Sequence, residues 1–204
     1  ASETLQRLPG IVVQNRQNYA QDLQISSRGF GARAPFGVKG VRLIADDIPI
    51  TMPDGQGQAS IFNLSSAKRI EVMRGPFSAL YGNGSGGVIQ SFTEDGPAET
   101  TASGSYRYGS NNTQFIGTKL GGQIGSVNYL LNNSWFRTDG YRDHSASDRD
   151  QFNAKINLTL NNDTSIRFIA NTLHQPDTQD PTGLTLAQVA QNRKQVQTSV
   201  NTFN

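Results

Sequence analysis

The chain has 204 residues, of which 35% are apolar and 17% are charged, and its formal net charge at pH 7 is +2. This small positive surplus does not indicate a nucleic-acid-binding protein, and the absence of cysteine excludes disulfides, thiolate metal sites and cysteine nucleophiles. The 21 glycines, with many Asn, Gln, Ser and Thr residues, are typical of a turn-rich β protein. The length predicts one or two domains.

The sequence contains no apolar run near the ~20 residues of a membrane helix. Its first residues, ASETLQRLPG, also lack the apolar core of a secretory signal peptide. Two explanations stay open, a cytosolic protein or an excerpt of a processed protein. The strands of a membrane β-barrel are short and only half apolar, so that fold stays open as well.

The first half, residues 1–97, mixes short strands with turn signals rich in Gly, Pro, Asp and Asn. A short helix is predicted for residues 2–8. Another is predicted to begin at Pro76 or Phe77, because proline suits a first helical turn, and to end at Tyr81. The predicted strands of this half are Ile11–Gln14, Leu23–Arg28, Val41–Ala45, Ile70–Arg74 and Gly87–Phe92.

The second half, residues 98–204, alternates apolar and polar residues over segments of about ten residues, as the strands of outer-membrane barrels do. Tyr129 and Leu131, for example, share one strand face, whereas Asn128 and Asn132 share the other. A face rich in Lys, Asn, Gln and Thr suits a hydrated barrel interior. The alternation predicts strands near residues 102–108, 114–120, 127–135, 151–160 and 165–171.

The predicted connections in this half differ in length. The links at 121–126 and 161–163 are short, whereas those at 138–150 and 174–197 are long and polar, and residues 182–195 suit a small helix. Short turns at one end of a barrel and long loops at the other produce this pattern. A soluble antiparallel sandwich is the alternative, because its strands also alternate. A sandwich would bury its apolar face, whereas a barrel exposes that face to lipid.

Residues 74–87, RGPFSALYGNGSGG, place an arginine beside a glycine-rich loop, a combination that often binds phosphate. A phosphate loop would read GxxxxGK[ST], but no Lys-Ser/Thr pair follows these glycines. A dinucleotide-binding loop would lead into a helix, whereas the strand-like GGVIQSF follows here. We therefore expect the glycines to permit positive φ and close backbone approach, at Gly75, Gly82, Gly84, Gly86 and Gly87.

The longer segment IEVMRGPFSALYGNGSGGVIQSFT, residues 70–93, resembles the end of the plug domain in TonB-dependent outer-membrane transporters. LPGIVV, LQISSRGFGAR and VRLIADDIPITMPDGQGQ resemble earlier plug motifs in the same order. The resemblance implies an α+β plug domain over residues 1–97, a small mixed sheet with short helices, and antiparallel transmembrane barrel strands over residues 98–204. A family barrel has 22 strands, so the barrel is expected to be incomplete in this chain and the chain to be part of a longer or truncated protein.

The same resemblance implies a function in the bacterial outer membrane. The expected activity is TonB-driven uptake of a ferric siderophore or a similar chelated nutrient, with the plug closing the barrel, no catalytic residues and no cofactor or resident metal. The expected partners are TonB, through an N-terminal segment absent here, the chelate and outer-membrane lipid, with no nucleic acid and a monomeric full-length protein. The alternatives are a non-transporting receptor for a ligand, phage or bacteriocin, or a soluble sandwich enzyme.

Arg28 and Arg74 match plug arginines that, in this family, face a pair of glutamates on the barrel wall. The resemblance therefore implies that both residues anchor the plug by charge. The alternative is that each is an ordinary residue at a strand end, bonded to backbone carbonyls.

The outer plug loops of the family correspond here to a set of mostly polar residues. Arg33 suits an anionic chelate, and Phe36 and Tyr81 suit stacking on an aromatic one. The alternative is that these are loop residues without a ligand. The residues that the resemblance assigns to the ligand face are Arg33, Phe36, Met52, Asp54, Gln56, Gln58 and Tyr81.

Overall fold

The computed structural model describes residues 2–14, 18–34, 37–75, 77–82 and 84–197. Within these residues, no helix is both long and apolar enough to cross a bilayer. The elements of the first half are short. They are α1 Ser2–Leu5, β1 Ile11–Gln14, β2 Gln24–Ser27, β3 Val38–Lys39, β4 Arg42–Ala45, β5 Ile48–Pro49, β6 Gln56–Gly57, a 3-10 helix Ala59–Ile61, β7 Ala67–Arg74, α2 Ser78–Tyr81 and β8 Gly87–Thr93.

These strands form two small mixed sheets around one hydrophobic core. The first sheet has the order β1-β2-β3-β6 and the second has the order β5-β4-β8-β7. The parallel pair β4 and β8 is central in the second sheet. Its apolar residues are buried, as is usual for parallel strands covered on both faces, and Leu43 and Ile89 have no exposed surface. Leu5 of α1 and Ile25 of β2 belong to the same core.

The first helix is shorter than the sequence predicts. It ends at Leu5, and backbone hydrogen bonds from Leu8 to Leu5 and from Ile11 to Leu8 form turns in its place. The early end has a local cause, because Pro9 cannot continue a helix and Gly10 has a φ of +79°. Helix α2 begins at Ser78, and the candidate start at Pro76 lies outside the described residues.

The described residues beyond the first half form a five-stranded antiparallel sheet and one helix. The sheet order is β13-β12-β11-β10-β9, so every strand pairs with its neighbours in the chain. The helix α3 spans Leu186–Gln191 and begins with a capping box between Thr185 and Gln188. The strands are β9 Thr101–Gly109, β10 Thr113–Ile124, β11 Val127–Thr138, β12 Ser147–Asn161 and β13 Thr164–His174.

These five strands confirm the predicted antiparallel segments, although all of them are longer than predicted. Strands β11 and β12 pair as far as Thr138 and Ser147, so the predicted long link at 138–150 shortens to residues 139–146. The links at 125–126 and 162–163 remain short. We call the sheet end that carries residues 139–146 and 175–197 the long-loop end.

The two faces of this sheet have opposite environments. Asn132 and Asn153, on the polar face, are 3% and 1% exposed because this face packs against the first half. Tyr106, Ile166 and Phe168, on the other face, are 61%, 54% and 58% exposed. A sandwich would bury its apolar face, so the arrangement contradicts the sandwich alternative.

Candidate ligand cavity and plug–sheet interface

The segment that leads out of β8 is fastened to the polar face of the sheet. Lys155, whose side chain is 9% exposed, contacts the Asp95 carboxylate at 2.8 Å and donates to the Thr93 carbonyl at 2.9 Å. Lys119 pairs with Glu94. The hydrogen bond from Lys155 lowers the pKa of Asp95 below its ordinary value and outweighs the opposing effect of burial.

Asn128 completes this attachment through the backbone of Gly96. Its Oδ1 accepts from the Gly96 amide at 2.9 Å, and its Nδ2 donates to the Gly96 carbonyl at 2.7 Å. A Cβ at Gly96 would lie 2.2 Å from the Tyr129 carbonyl oxygen, so glycine permits this close approach. Residues 93–96 are therefore held by side chains from three strands, β10, β11 and β12.

A second contact region lies at the long-loop end and encloses a cavity of about 830 Å³. Gln151 donates to the Ser60 carbonyl at 3.0 Å, and the rings of Tyr19 and Phe136 are 5.1 Å apart. Segments 18–23 and 58–65 of the first half form one side of the cavity, and the ends of the sheet strands form the other.

The cavity combines cations, aromatic rings and one half-buried acid. Arg107 stacks on Phe115, with 4.0 Å between the guanidinium carbon and the ring centroid, and Arg149 lies 5.2 Å from the Phe136 ring. Burial raises the pKa of Asp22, and hydrogen bonds from Ser60 and the charge of Arg149 offset this only in part. The arrangement suits a ligand with negative charge and aromatic or polar surface.

The structure brings few of the sequence-predicted ligand residues to this cavity. Of those that it describes, only Gln58 lines the wall. Met52 is 53% exposed in the neighbouring turn, where the Asp54 carboxylate accepts from the Gln56 amide at 3.0 Å. Arg33 is exposed and Tyr81 of α2 is half-buried, both away from the cavity, and Phe36 lies outside the described residues.

Arg28 and Arg74 meet at the same turn. Arg74 Nη1 donates to the Pro9 carbonyl at 2.5 Å, and the backbone amide of Arg28 donates to the Gly10 carbonyl at 2.9 Å. Both arginines are exposed, and neither forms an ion pair within the described part of the chain. Glu71 pairs with Arg69 instead.

The glycine-rich loop has a geometric role. Gly87 has a φ of +127°, and a Cβ there would lie 2.2 Å from the Met73 carbonyl oxygen on the paired strand β7. A Cβ at Gly86 would lie 2.7 Å from Phe30 Cβ. Gly75 and Gly82 also have positive φ, and a Cβ at Gly84 would lie 3.1 Å from Arg42 Cβ.

Several cavity residues are missing from the sequence-predicted site. Arg107 lies on the polar face of a predicted strand, and that position is the signal that could have found it. Tyr19 and Asp22 lie in a connection without periodicity, and no signal in the sequence distinguishes them. In the described residues, no cluster of three or more His, Asp or Glu side chains is arranged to hold a metal ion.

Comparison with known proteins identifies the first half. Residues 1–89 match the family model of the TonB-dependent receptor plug domain. This part of the chain is a TonB-dependent receptor plug domain. The plug resemblance read from residues 70–93 is thereby confirmed, as is the predicted fold class.

Solved transporters and receptors share the fold of both halves at low sequence identity. The unliganded ferric citrate transporter FecA matches with a TM-score of 0.77 and 20% identity over 96% of this chain and 31% of its own. The pyoverdine outer-membrane receptor FpvA of Pseudomonas aeruginosa PAO1 matches with a TM-score of 0.70 and 19% identity, covering 85% of this chain and 25% of its own. The copper transporter OprC matches with a TM-score of 0.70 and 18% identity, covering 89% and 29%. The chain spans less than a third of these receptors.

Proposed function

We propose that this chain forms the plug and the first barrel strands of an outer-membrane active transporter for a ferric siderophore or a similar chelated nutrient. The observation that carries the proposal is a plug-family domain fastened to the polar face of an antiparallel sheet, whose apolar face is exposed. A barrel wall needs this distribution, because its outer face meets lipid and its inner face meets water or a plug.

The division proposed between the two parts is at residues 97 and 98. Residues 1–97 form the plug, and residues 98–204 form barrel strands of a larger wall, with a full family barrel of 22 strands. Residues 93–96 support this boundary, because Lys155, Lys119 and Asn128 fasten them to the sheet just before β9 begins.

The long-loop end is proposed to face outward, and the cavity there is proposed to take the ligand. Arg107 and Arg149 supply positive charge, while Tyr19 and Phe115 supply aromatic surface. A ferric chelate with carboxylate or catecholate groups presents the complementary negative charge. TonB is the proposed partner on the opposite side, and it would move the plug with energy from the proton gradient of the inner membrane.

The test is uptake by cells that express the full-length gene product. We choose as probes the ⁵⁵Fe complexes of citrate, pyoverdine and enterobactin, the ligands named for matched receptors. We expect uptake of one such complex that is lost both without the gene and without TonB. Uptake that survives the loss of TonB would refute the proposal.

The alternative function is a receptor that binds a ligand, phage or bacteriocin without transport. The same experiment separates the two functions. Saturable binding of a chelate at the cell surface, with no internal ⁵⁵Fe even when TonB is present, would favour the receptor function.

A further inference from the structure

The residues that follow β13 form a compact segment over the long-loop end. We call residues 175–197 the outer strap. Arg142, from the loop between β11 and β12, donates to the carbonyl oxygens of Pro181 at 3.0 Å and Gln195 at 2.7 Å, and also to that of Thr182. The Asp143 amide donates to the Lys194 carbonyl at 2.8 Å. One neighbouring loop therefore holds the strap at two places, residues 181–182 and residues 194–195.

The outer strap also binds the plug, through Asp180. Its carboxylate accepts from Asn18 Nδ2 at 2.5 Å and from Gln21 Nε2 at 2.8 Å, one on each oxygen. Gln175 at the start of the strap donates to the Tyr19 carbonyl at 3.0 Å. A short plug segment, residues 18–22, is thus joined to the strap by hydrogen bonds in both directions. The plug donates to Asp180, and the strap donates to the plug through Gln175.

Asp180 is suited to this contact because it is ionised. Burial by itself would raise its pKa, but the hydrogen bonds from Gln21, Thr182 and Asn18 together hold the pKa below its ordinary value. Hydrogen bonds to a charged acceptor are stronger than those to a neutral one. The donors from the plug are neutral amides, so water can replace them without leaving a buried charge unpaired.

The same plug segment forms part of the cavity wall. Asn18, Tyr19, Gln21 and Asp22 all line the cavity. A displacement of this segment would therefore change the cavity and break its contacts with Asp180 and Gln175 together. Because segment 18–22 both lines the cavity and bonds the strap, the shape of the cavity is coupled to the hydrogen bonds between strap and plug.

We propose that Asp180 is a positioning residue that latches plug segment 18–22 to the outer strap. When the plug moves, this contact breaks and the cavity wall formed by segment 18–22 separates from the strap. The inference rests on the proposed transport function for the direction of plug movement. The latch itself is a contact between two parts of this chain and can be tested without any ligand.

The test uses the absence of cysteine from the chain. Ser60 is half-buried and bonds Asp22 at the end of segment 18–22. Ser60→Cys, in a full-length protein from which any cysteine outside residues 1–204 has been removed, therefore provides a reporter for a membrane-impermeant maleimide in cells. We expect Asp180→Ala to increase the labelling rate about tenfold, the factor that corresponds to 1.4 kcal/mol. Asp180→Asn keeps one acceptor oxygen without the charge, so its increase should be smaller.

Asp177→Asn is the control, because Asp177 is an exposed acid of the same strap with no hydrogen bond to the plug among the described contacts, and asparagine tolerates its φ of +50°. Equal labelling rates in the Asp180→Ala and Asp177→Asn proteins would overturn the latch. If Asp180→Ala prevents insertion, the double variant Asn18→Ala/Gln21→Ala removes the donors from the other side and must give the same increase. A protein that takes up none of the chelates would refute transport but leave this measurement intact.

Discussion

The guanidinium of Arg74 donates through Nη1 to the Pro9 carbonyl oxygen at 2.5 Å, and this bond joins the end of β7 to the turn after α1. The backbone amide of Arg28 reaches the next carbonyl of the same turn, that of Gly10. The turn therefore brings together two arginines that are 46 positions apart in the chain. Both arginines are exposed at the surface of the first half.

We expect Arg74→Ala to loosen the contact between plug and barrel in the full-length receptor. Loss of the bond to Pro9 alone should cost about 0.5–1.5 kcal/mol, as for one ordinary hydrogen bond. If Arg74 also anchors the plug by charge, the variant loses that interaction as well. The plug should then be cleaved faster by trypsin, and uptake should be weaker. Arg69→Ala is the control, because Arg69 is an exposed arginine of the same strand paired with Glu71. Unchanged protease resistance and uptake in Arg74→Ala would argue against the anchor.

Lys155→Met should lower the free energy of unfolding more than Lys119→Met does, because Lys155 contributes more to the contact between residues 93–96 and the sheet. Lys155 is 9% exposed and bonds a buried carbonyl, so its loss should cost about 1–3 kcal/mol. The Lys119–Glu94 pair is about one-third exposed, and such pairs contribute about 0–1 kcal/mol. Urea unfolding of the full-length protein in detergent, followed by tryptophan fluorescence, measures both variants. Equal losses in the two proteins would contradict this ranking.

The pair between Asp95 and Lys155 should weaken only in acid. The folded pKa of Asp95 lies below its ordinary value of 3.8, so its stabilising contribution is complete above that value and is lost as pH falls through the folded pKa. Lys68 and Arg167 also favour the carboxylate. The stability difference between wild type and Asp95→Asn should therefore be constant near neutral pH and vanish in acid. Asp163→Asn, in an exposed turn, should show no such convergence, and a pH-independent Asp95→Asn difference would count against the pair.

Neighbouring residues on β9 provide a matched test of the membrane-facing surface. Tyr106 belongs to the exposed apolar face, whereas Ser105 faces the plug side. Arginine on a lipid-facing barrel position costs about 2–4 kcal/mol near the bilayer midplane and less toward the interfaces. Tyr106→Arg should therefore reduce the amount of full-length protein in outer-membrane fractions, and Ser105→Arg should not. Equal yields of the two variants would show that this face does not meet lipid.

The elements that the sequence predicts well have local causes. Strand β1 begins and ends where predicted, and β7 and β8 differ from prediction by a few residues at one end. The alternation of Tyr129 and Leu131 with Asn128 and Asn132 predicts the two faces of β11 correctly, because a strand turns successive side chains to opposite sides. Strands β3, β5 and β6 were not predicted, because two residues are too few to show a period.

The candidate site was much harder to predict. The resemblance to plug loops predicted Gln58, which lines the cavity, but it also predicted the exposed residues Arg33 and Met52, which lie elsewhere. Gln21 and Asp180 form a hydrogen bond from positions far apart in the chain, and both lie in segments without regular structure.

The sequence by itself determined the plug family, the strand periods and the polar character of the inner face, because these depend on motifs and on neighbouring residues. Only the tertiary structure decided that Asp180 accepts from Asn18 and Gln21, that Lys155 holds residues 93–95, and that Arg149 faces Asp22. Each of these contacts joins the plug to the sheet or to the outer strap across a long stretch of chain. Such contacts depend on how two folded parts pack against each other, and a local sequence pattern does not predict that packing.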